Sequence, residues 1–430
     1  MRVLVTGAYG LIGSAILTRL VRDHAVTGAG RKVAAAAQRF PAAQWIAADF
    51  NTLTSAGAWR PLLESIDAVV NCVGVLQDGL RDDSHRVHVE ATAALFSACE
   101  QARMRVIHIS AIGAEASGPT EFSRRKAQAE QDLARRDVDW VVLRPALVLA
   151  GAVYGGSAML RAVAAFLGVT PLIAADSNIQ VVSVEDVAET VARCLAPGAP
   201  TRVSFDVAHP HVHKLSDIVA AIRRWLGFPT RPLVRVPHFI ARVIGLAADA
   251  LGLLGWRSPA RTTALKQLEL GVVGDPAPWI AATGIQPMSL DAILKARPAN
   301  VQDRWFARLY LLKPIAIAGL AFFWFITGAI ALGPARVWAT AEMIATGTRP
   351  DIASLTVILG AWFDVAMGLL LCVRRLARGT LIVMIVATFG YLAAGTLLAP
   401  HLWLDPLGPL TKIIPMLVAT ALTLAIIDER

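Results

Sequence analysis

Three glycines near the start of the chain stand at a spacing with a chemical use. Gly7, Gly10 and Gly13 lie in Gly7-Ala8-Tyr9-Gly10-Leu11-Ile12-Gly13, after an apolar strand pattern at 2–6 (RVLVT) and before a helical run, SAILTRLVRD. The first glycine permits a sharp turn. The second removes a Cβ, so that backbone can approach a pyrophosphate. The third lets a helix pack on a sheet with its positive N-terminus aimed at phosphate. Placed between a strand and a helix, the motif predicts a dinucleotide site. Gly7, Tyr9, Gly10, Leu11, Ile12 and Gly13 are its first candidates.

The next strand indicates which dinucleotide. A site for NAD(H) places Asp or Glu about 20 residues beyond the glycines, on the ribose 2′-hydroxyl. Here the strand at about 25–28 runs into Gly30-Arg31-Lys32, with no acid and two cations. A 2′-phosphate would meet Arg31, so NADP(H) is favoured over NAD(H). The alternative is that Arg31 is a solvated loop charge.

The elements that must carry these residues follow from periodicity. Strand patterns occur at 45–50 (WIAADF), 67–74 (DAVVNCVG), 105–114 and 139–148, and helix patterns at 87–101 and 123–136. Strands alternating with helices predict an α/β fold, a doubly wound parallel Rossmann sheet whose ligands lie at the carboxyl ends of the strands. That edge should collect the Gly7 loop, Asp49, Phe50, Val73, Gly74, Ser110 and Pro145. Residues 1–150 are the expected core. Residues 151–300 supply a small substrate lobe and the remaining Rossmann elements.

Several segments resemble the short-chain dehydrogenase/reductase superfamily in its atypical and extended branches. They are TGAYGLIG (6–13), AADF (47–50), VNCVG (70–74), VHVEATAALFSA (87–98), HISAIGA (108–114), FSRRKAQAE (122–130), VLRPALV (142–148) and VVSVEDVAETV (181–191). The branch that looks most similar includes the accessory NADPH-binding subunit of respiratory complex I. The resemblance implies that Asp49 lies by the adenine and that Lys126 stands where the Lys of a YxxxK pair holds the nicotinamide ribose. It also exposes a departure. The catalytic Tyr, four residues before that Lys, is Phe122 here, and Phe has no hydroxyl to pass a proton. Ser110 lies near the usual Ser position, which falls at Ala111 or Ile112 by alignment. His88 replaces a helix Asn, either as a substitute acid or as a polar residue under the Gly74 loop.

Of the 430 residues, 55% are apolar and 17% are charged, against about 45–50% and about 25% in a soluble domain. The apolar excess is concentrated after residue 310. Four runs, at about 312–332, 352–373, 379–399 and 410–427, approach the ~20 residues that cross a bilayer. The fold expected of 301–430 is thus an all-α four-helix transmembrane bundle. Trp403-Leu404-Asp405-Pro406-Leu407-Gly408-Pro409-Leu410, with Lys412, Pro415 and Asp364, resembles the DoxX-like membrane family. Some of its members are linked to quinone reduction. Asp364, mid-span, costs roughly 2.5–3.5 kcal/mol on insertion scales. It should face the bundle interior, bonded to Thr327, Tyr391 or a water. Asp405 is expected to cap the fourth helix.

Much of the net charge of +9 reads as topology. Arg304, Arg308 and Lys313 precede the first span, and Arg374, Arg375 and Arg378 fill the loop between the second and third. The positive-inside rule then places both termini and the Rossmann domain on the cytoplasmic side of an inner membrane. No basic block interleaved with aromatics points to nucleic acid. Cys72, Cys99, Cys194 and Cys372 are scattered and read as reduced, buried thiols. His209, His211 and His213 read as a loop, and no metal is expected. The N-terminus lacks the apolar core of a signal peptide. Residues 238–256 form a helix with Arg242 and Asp249 on one face, which either roofs the cleft or lies on the membrane.

These features predict a membrane-anchored NADP(H)-binding oxidoreductase with a lipid-soluble or quinone-type partner. Two alternatives stay open. One is a sensor or assembly module that holds the nucleotide without turnover. The other is an epimerase or dehydratase.

Overall fold

A computed structural model of the protein describes residues 1–75 and 83–428. The chain forms two compact units, Met1–Ala250 with Ser258–Arg304, and Leu251–Arg257 with Trp305–Arg430.

The first unit is built on a seven-stranded sheet. Its strands are β1 (Arg2–Thr6), β2 (Ala25–Gly30), β3 (Gln44–Ala47), β4 (Ala68–Asn71), β5 (Arg105–Ile109), β6 (Trp140–Pro145) and β7 (Val203–Val207). They are ordered β7-β6-β5-β4-β1-β2-β3, and every pairing is parallel. The order reverses at β1, so ligands are expected outside the carboxyl ends near that point. Helices that position the site are α1 (Leu11–Leu20), α2 (Ala91–Gln101), α3 (Glu121–Ala134) and α4 (Val184–Cys194).

The sheet is apolar on both faces because helices cover both. Val3 and Val5 of β1, with Val141 and Leu143 of β6, face Ile16 and Leu20 of α1 and Val187 and Val191 of α4. Leu4 and Val142, one residue out of phase, face Trp59, Leu95, Phe96 and Leu133. Fully burying each such side chain contributes about 1.5–3 kcal/mol. That drives the strands into one register and so fixes which residues reach the carboxyl edge.

Two elements differ locally from the expected pattern. The predicted helix over 87–101 begins as a π-helical turn, Arg86–Glu90, before α2. The predicted strand over 139–148 is broken after Pro145, and its remainder, Leu147–Leu149, pairs with Val181–Ser183 in a separate two-stranded sheet.

Beyond β7 come α5 (His238–Leu253), which ends in the second unit, and α6 (Thr262–Leu270). The second unit is helical. It contains α7 (Val301–Leu332, whose first residues belong to the first unit), a ten-residue helix Arg336–Ala345, α8 (Pro350–Leu371), α9 (Arg374–Leu398) and α10 (Ile413–Ile426). Three of these, α7, α8 and α9, are long and apolar enough to cross a membrane. The expected fourth span is shorter than its apolar run. Residues 410–412 belong to a turn and α10 has 14 residues, about 21 Å against ~30 Å of hydrocarbon. Asp405 does not cap α10. Its carboxylate accepts from the Leu407 N–H (2.7 Å) in an Asx turn, and Lys412 is the N-cap.

Helices α7 and α8 cross at glycines. A Cβ on Gly328 would lie 2.4 Å from the Ala361 carbonyl oxygen, and one on Gly368 would lie 2.7 Å from that of Ala321. Small residues at such crossings let backbones approach where lipid supplies no hydrophobic drive.

Candidate functional site

The carboxyl edge of the sheet assembles the predicted nucleotide residues. Gly7 adopts φ +63°, and a Cβ there would sit 3.0 Å from the Cys72 carbonyl oxygen. The turn closes as the Gly10 N–H donates to the Gly7 carbonyl (2.9 Å). At Gly13 a Cβ would lie 2.3 Å from that same carbonyl oxygen, so only glycine lets α1 pack this close. The N-cap of α1 is Gly10, with no side-chain cap and no acid in the first turn. Nothing on the helix's own side chains opposes an anion there. Leu11 and Ile12 are half-buried in that first turn.

Tyr9 joins this loop to the end of β2. Its hydroxyl accepts from the Arg31 N–H (3.1 Å), and its ring stacks on Trp45, centroids 6.4 Å apart. A Cβ on Gly30 would strike the Tyr9 ring at 2.3 Å, and one on Gly28 would strike Trp45 at 2.7 Å. The glycines of β2 are therefore shaped by two aromatics, and this holds exposed Arg31 beside the glycine loop. Beyond β3, Asp49 accepts from the Asn51 N–H and side-chain amide, both at 3.0 Å. The ring of Phe50 is buried edge-on against Trp59, so only its backbone remains for a ligand.

A second group lies at the ends of β4 and β5. Lys126 on α3 is buried, and its Nζ donates to the Ile109 carbonyl (2.9 Å). Burial pushes its pKa down from 10.5 to about 8, with Glu130 and Cys72 pulling the other way. Ser110 is buried, and its Oγ has no hydrogen-bond partner among the described residues. Gly74 stands between Lys126 and His88. A Cβ on it would lie 3.5 Å from His88 Cε1 and 3.6 Å from Lys126 Nζ. Val73 donates its N–H to Asn71 Oδ1 (3.2 Å), and Pro145 is buried at the end of β6.

Phe122 sits half-buried in the first turn of α3, where Thr120 caps the helix by accepting from the Ser123 N–H (3.1 Å). Its ring meets His88 edge-on at 5.9 Å. His88 is itself engaged under the Gly74 loop. Its Nε2 lies 3.0 Å from the Val75 nitrogen and 2.8 Å from the Val75 carbonyl oxygen, accepting from one or donating to the other according to tautomer.

Sequence reasoning missed a buried polar chain across three strands. Thr6 Oγ1 donates to Asn71 Oδ1 (2.7 Å), and Asn71 Nδ2 lies 3.2 Å from His108 Nδ1. Parallel register pairs Thr6 with Asn71 and Asn71 with His108, which puts all three on one sheet face. Burial, then the nearby Lys126 and His88, hold the His108 pKa well below 6.5, so the ring is neutral near pH 7. The signal in the sequence was a polar residue near the end of each of three apolar strands, β1, β4 and β5.

In the second unit, the Tyr391 hydroxyl of α9 donates to Asp364 Oδ1 of α8 (2.8 Å). Thr327 instead donates to its own helix at the Phe323 carbonyl (2.7 Å). Trp324 of α7 tilts against Tyr391, centroids 6.2 Å apart, and its buried Nε1 has no partner among the described residues.

Comparison with known proteins agrees with both halves. Residues 7–197 match a family described as NAD(P)H-binding, and residues 321–421 match the DoxX-like family. The chain joins an NAD(P)-binding Rossmann domain to a DoxX-like domain. Uncharacterized proteins of Mycobacterium tuberculosis and Mycobacterium bovis are 28% identical over 227 residues. That match covers 52% of this chain and only 23% of theirs. Among solved structures, UDP-glucose 4-epimerase of Thermotoga maritima with UDP-glucose aligns with TM-score 0.54 and 15% identity, over 72% of this chain and 100% of its own. The enzyme WbmG of Bordetella bronchiseptica in complex with NAD aligns with TM-score 0.51 and 19% identity, over 68% and 91%. At these identities the likeness is one of fold. The glycine loop of the Rossmann domain, with no side-chain cap on its helix and a Ser110 Oγ without a partner among the described residues, fits a pyridine nucleotide. The DoxX-like domain, with three long apolar helices, makes the protein membrane-associated and multi-pass.

Proposed function

We propose that the protein is a membrane-anchored NADP(H)-dependent oxidoreductase whose acceptor is a lipid-soluble molecule of quinone type. The observation that carries this is the pairing of a fully formed nucleotide loop with Phe122 in place of a hydroxyl. Bound at the loop, NADPH would supply a hydride. In this reading the backbone of Gly7 to Gly13 holds the diphosphate, Arg31 meets the 2′-phosphate, and Lys126 orients the ribose hydroxyls.

The missing hydroxyl selects among acceptors. Hydride addition to a ketone leaves an alkoxide, the base of an acid about as weak as water, pKa ~16, so a positioned proton donor is needed. Hydride addition to a quinone leaves a phenolate-like anion, whose acid has a pKa of about 10, and water can protonate it. NADPH, one proton and quinone thus become NADP+ and hydroquinone, with the proton from solvent. The epimerase reading suffers from the same missing hydroxyl. Asp364, Tyr391 and Trp324 support a lipid-soluble partner, because they offer an acceptor and a donor without a partner among the described residues inside the apolar helices. The arginines at 374, 375 and 378 support a cytoplasmic face for the Rossmann domain.

The test is NADPH oxidation by the detergent-solubilised full chain with a short-chain ubiquinone. Quinone-dependent turnover without reduction of simple ketones is expected. Tight NADPH binding with no turnover on any quinone would instead establish the second reading, a nucleotide-holding module, which the engaged His88 beside Phe122 favours. Mass analysis of nucleotide released from the purified protein separates NADP(H) from NAD(H).

A further inference from the structure

Helix α5 is built inside out for a water-facing helix. Its small residues Ala241, Gly245 and Ala248 are buried. Gly245 packs on α6, where an added Cβ would come 3.0 Å from Thr262 Cγ2 and 3.4 Å from Leu265 Cδ1. The large apolar side chains point the other way. Phe239 is 70% exposed, Val243 63%, Leu246 55% and Leu253 75%. These positions recur at i, i+4, i+7 and i+14, which is one stripe along the helix. A stripe of this kind on a water-facing surface marks an interaction site.

The charges leave that stripe bare. Asp249 is turned away from it, with Arg261 Nε donating to its carboxylate at 2.8 Å and Thr262 Oγ1 at 2.6 Å. Arg242 is exposed on the flank, where an anionic headgroup would meet it. The chain then names the partner. Residues Leu251–Arg257, the last turn of α5 and its continuation, belong to the unit that carries the apolar spans. There Trp256 Nε1 donates to the Cys372 carbonyl (2.6 Å), the Arg374 guanidinium lies 5.4 Å above the Trp256 ring, and the Arg374 N–H donates to the Leu254 carbonyl (3.1 Å). Tryptophan and arginine at the end of a span are residues of the membrane–water interface. A helix whose last turn belongs to that unit, with an apolar stripe, a small-residue face on the protein and a basic flank, has the make-up of an interfacial helix.

We propose that α5 lies in the lipid–water interface and presses Phe239, Val243, Leu246 and Leu253 into the boundary between headgroups and acyl chains. The occupant of this face is lipid, and the helix does not roof the nucleotide cleft. The experiment uses the full chain in nanodiscs of phosphatidylcholine and phosphatidylglycerol, with p-benzoylphenylalanine replacing Phe239 or Val243 one at a time. Phe322, in α7, serves as the reference for lipid contact. Irradiation should give lipid adducts at 239 and 243 at yields within about threefold of that reference, read by intact mass. In the chain carrying Val243→Asp and Leu246→Asp, the adduct at 239 should fall at least tenfold while NADPH binding stays unchanged. Adducts only to protein, whether to the same chain or to a second copy, would overturn the proposal. So would no adduct at 239 and 243 while the reference labels.

Discussion

Replacing Gly13 by Ala puts the nucleotide loop itself under test. The added Cβ would lie 2.3 Å from the Gly7 carbonyl oxygen, 2.9 Å from the Gly7 carbonyl carbon and 3.0 Å from the Ala8 Cα. All three are backbone atoms, so no side chain can swing away. Relief needs a shift of about 1 Å between the loop and α1, and overpacking of this kind costs roughly 1–3 kcal/mol. The moving part is the turn whose carbonyl accepts from the Gly10 N–H, so the cost falls on the conformation that would hold the diphosphate. At 1.4 kcal/mol per factor of ten, NADPH affinity should drop roughly 5- to 150-fold. Titration calorimetry on the detergent-solubilised chain reads this directly. Gly57→Ala is the matched control. It also places an alanine in a helix, but nothing lies within 4 Å of its Cβ, and affinity should stay within twofold. Equal losses in both variants, or no loss in Gly13→Ala, would refute the idea that the nucleotide rests on this loop.

Three other outcomes follow from the same geometry. Lys126 has a folded pKa of about 8 against 10.5 when exposed, so the unfolded state binds more protons between those values and stability rises with pH across that window. The penalty of about 3 kcal/mol is fully present below pH ~8. Lys126→Met removes it and loses one hydrogen bond of about 1 kcal/mol, so its thermal midpoint without nucleotide should exceed wild type near pH 7 and fall to or below it by pH 10. A constant difference across that range would sink this account. Arg31→Asp should weaken NADPH binding roughly 10- to 100-fold, the worth of a charged hydrogen bond, and leave NADH within about threefold, as measured by competition titration. Gly328→Leu drives a side chain into the Ala361 carbonyl and should lower the thermal midpoint of the membrane unit, whereas Gly360→Leu, with nothing within 4 Å, should not.

What the sequence made legible was local. The requirements at Gly10 and Gly13 are set by atoms within seven residues, and Gly7 is marked by its own positive φ, so spacing identifies the turn even though the Cys72 carbonyl that also crowds Gly7 is distant in sequence. Alternating strand and helix periods gave the parallel sheet, because both of its faces are covered and its strands read as unbroken apolar runs. What stayed hidden was non-local. Thr6 and His108 meet through Asn71 only because β1, β4 and β5 share a register, and no periodicity reports a register. Hydropathy likewise overstated the fourth span, since it counts Leu410 and misses the turn that follows the positive φ of Gly408.

Helix α5 shows why a charge pattern is a weaker guide than a size pattern. Arg242 and Asp249, seven residues apart, suggested one charged face and left open whether the apolar face roofs the cleft or lies on the membrane. Asp249 is in fact folded back onto Arg261 and Thr262, and the protein side is the one lined by alanine and glycine. Close helix packing needs small residues, and a lipid surface takes large ones. The i, i+4, i+7 repeat of Ala241, Gly245 and Ala248 therefore carried the orientation all along. The same logic holds at Gly328 and Gly368, where small residues mark the protein side of a helix in an apolar solvent. Read by size as well as hydropathy, the apolar excess of this chain separates into a sheet core, three long helices, the shorter apolar α10 and one helix whose large side chains are exposed.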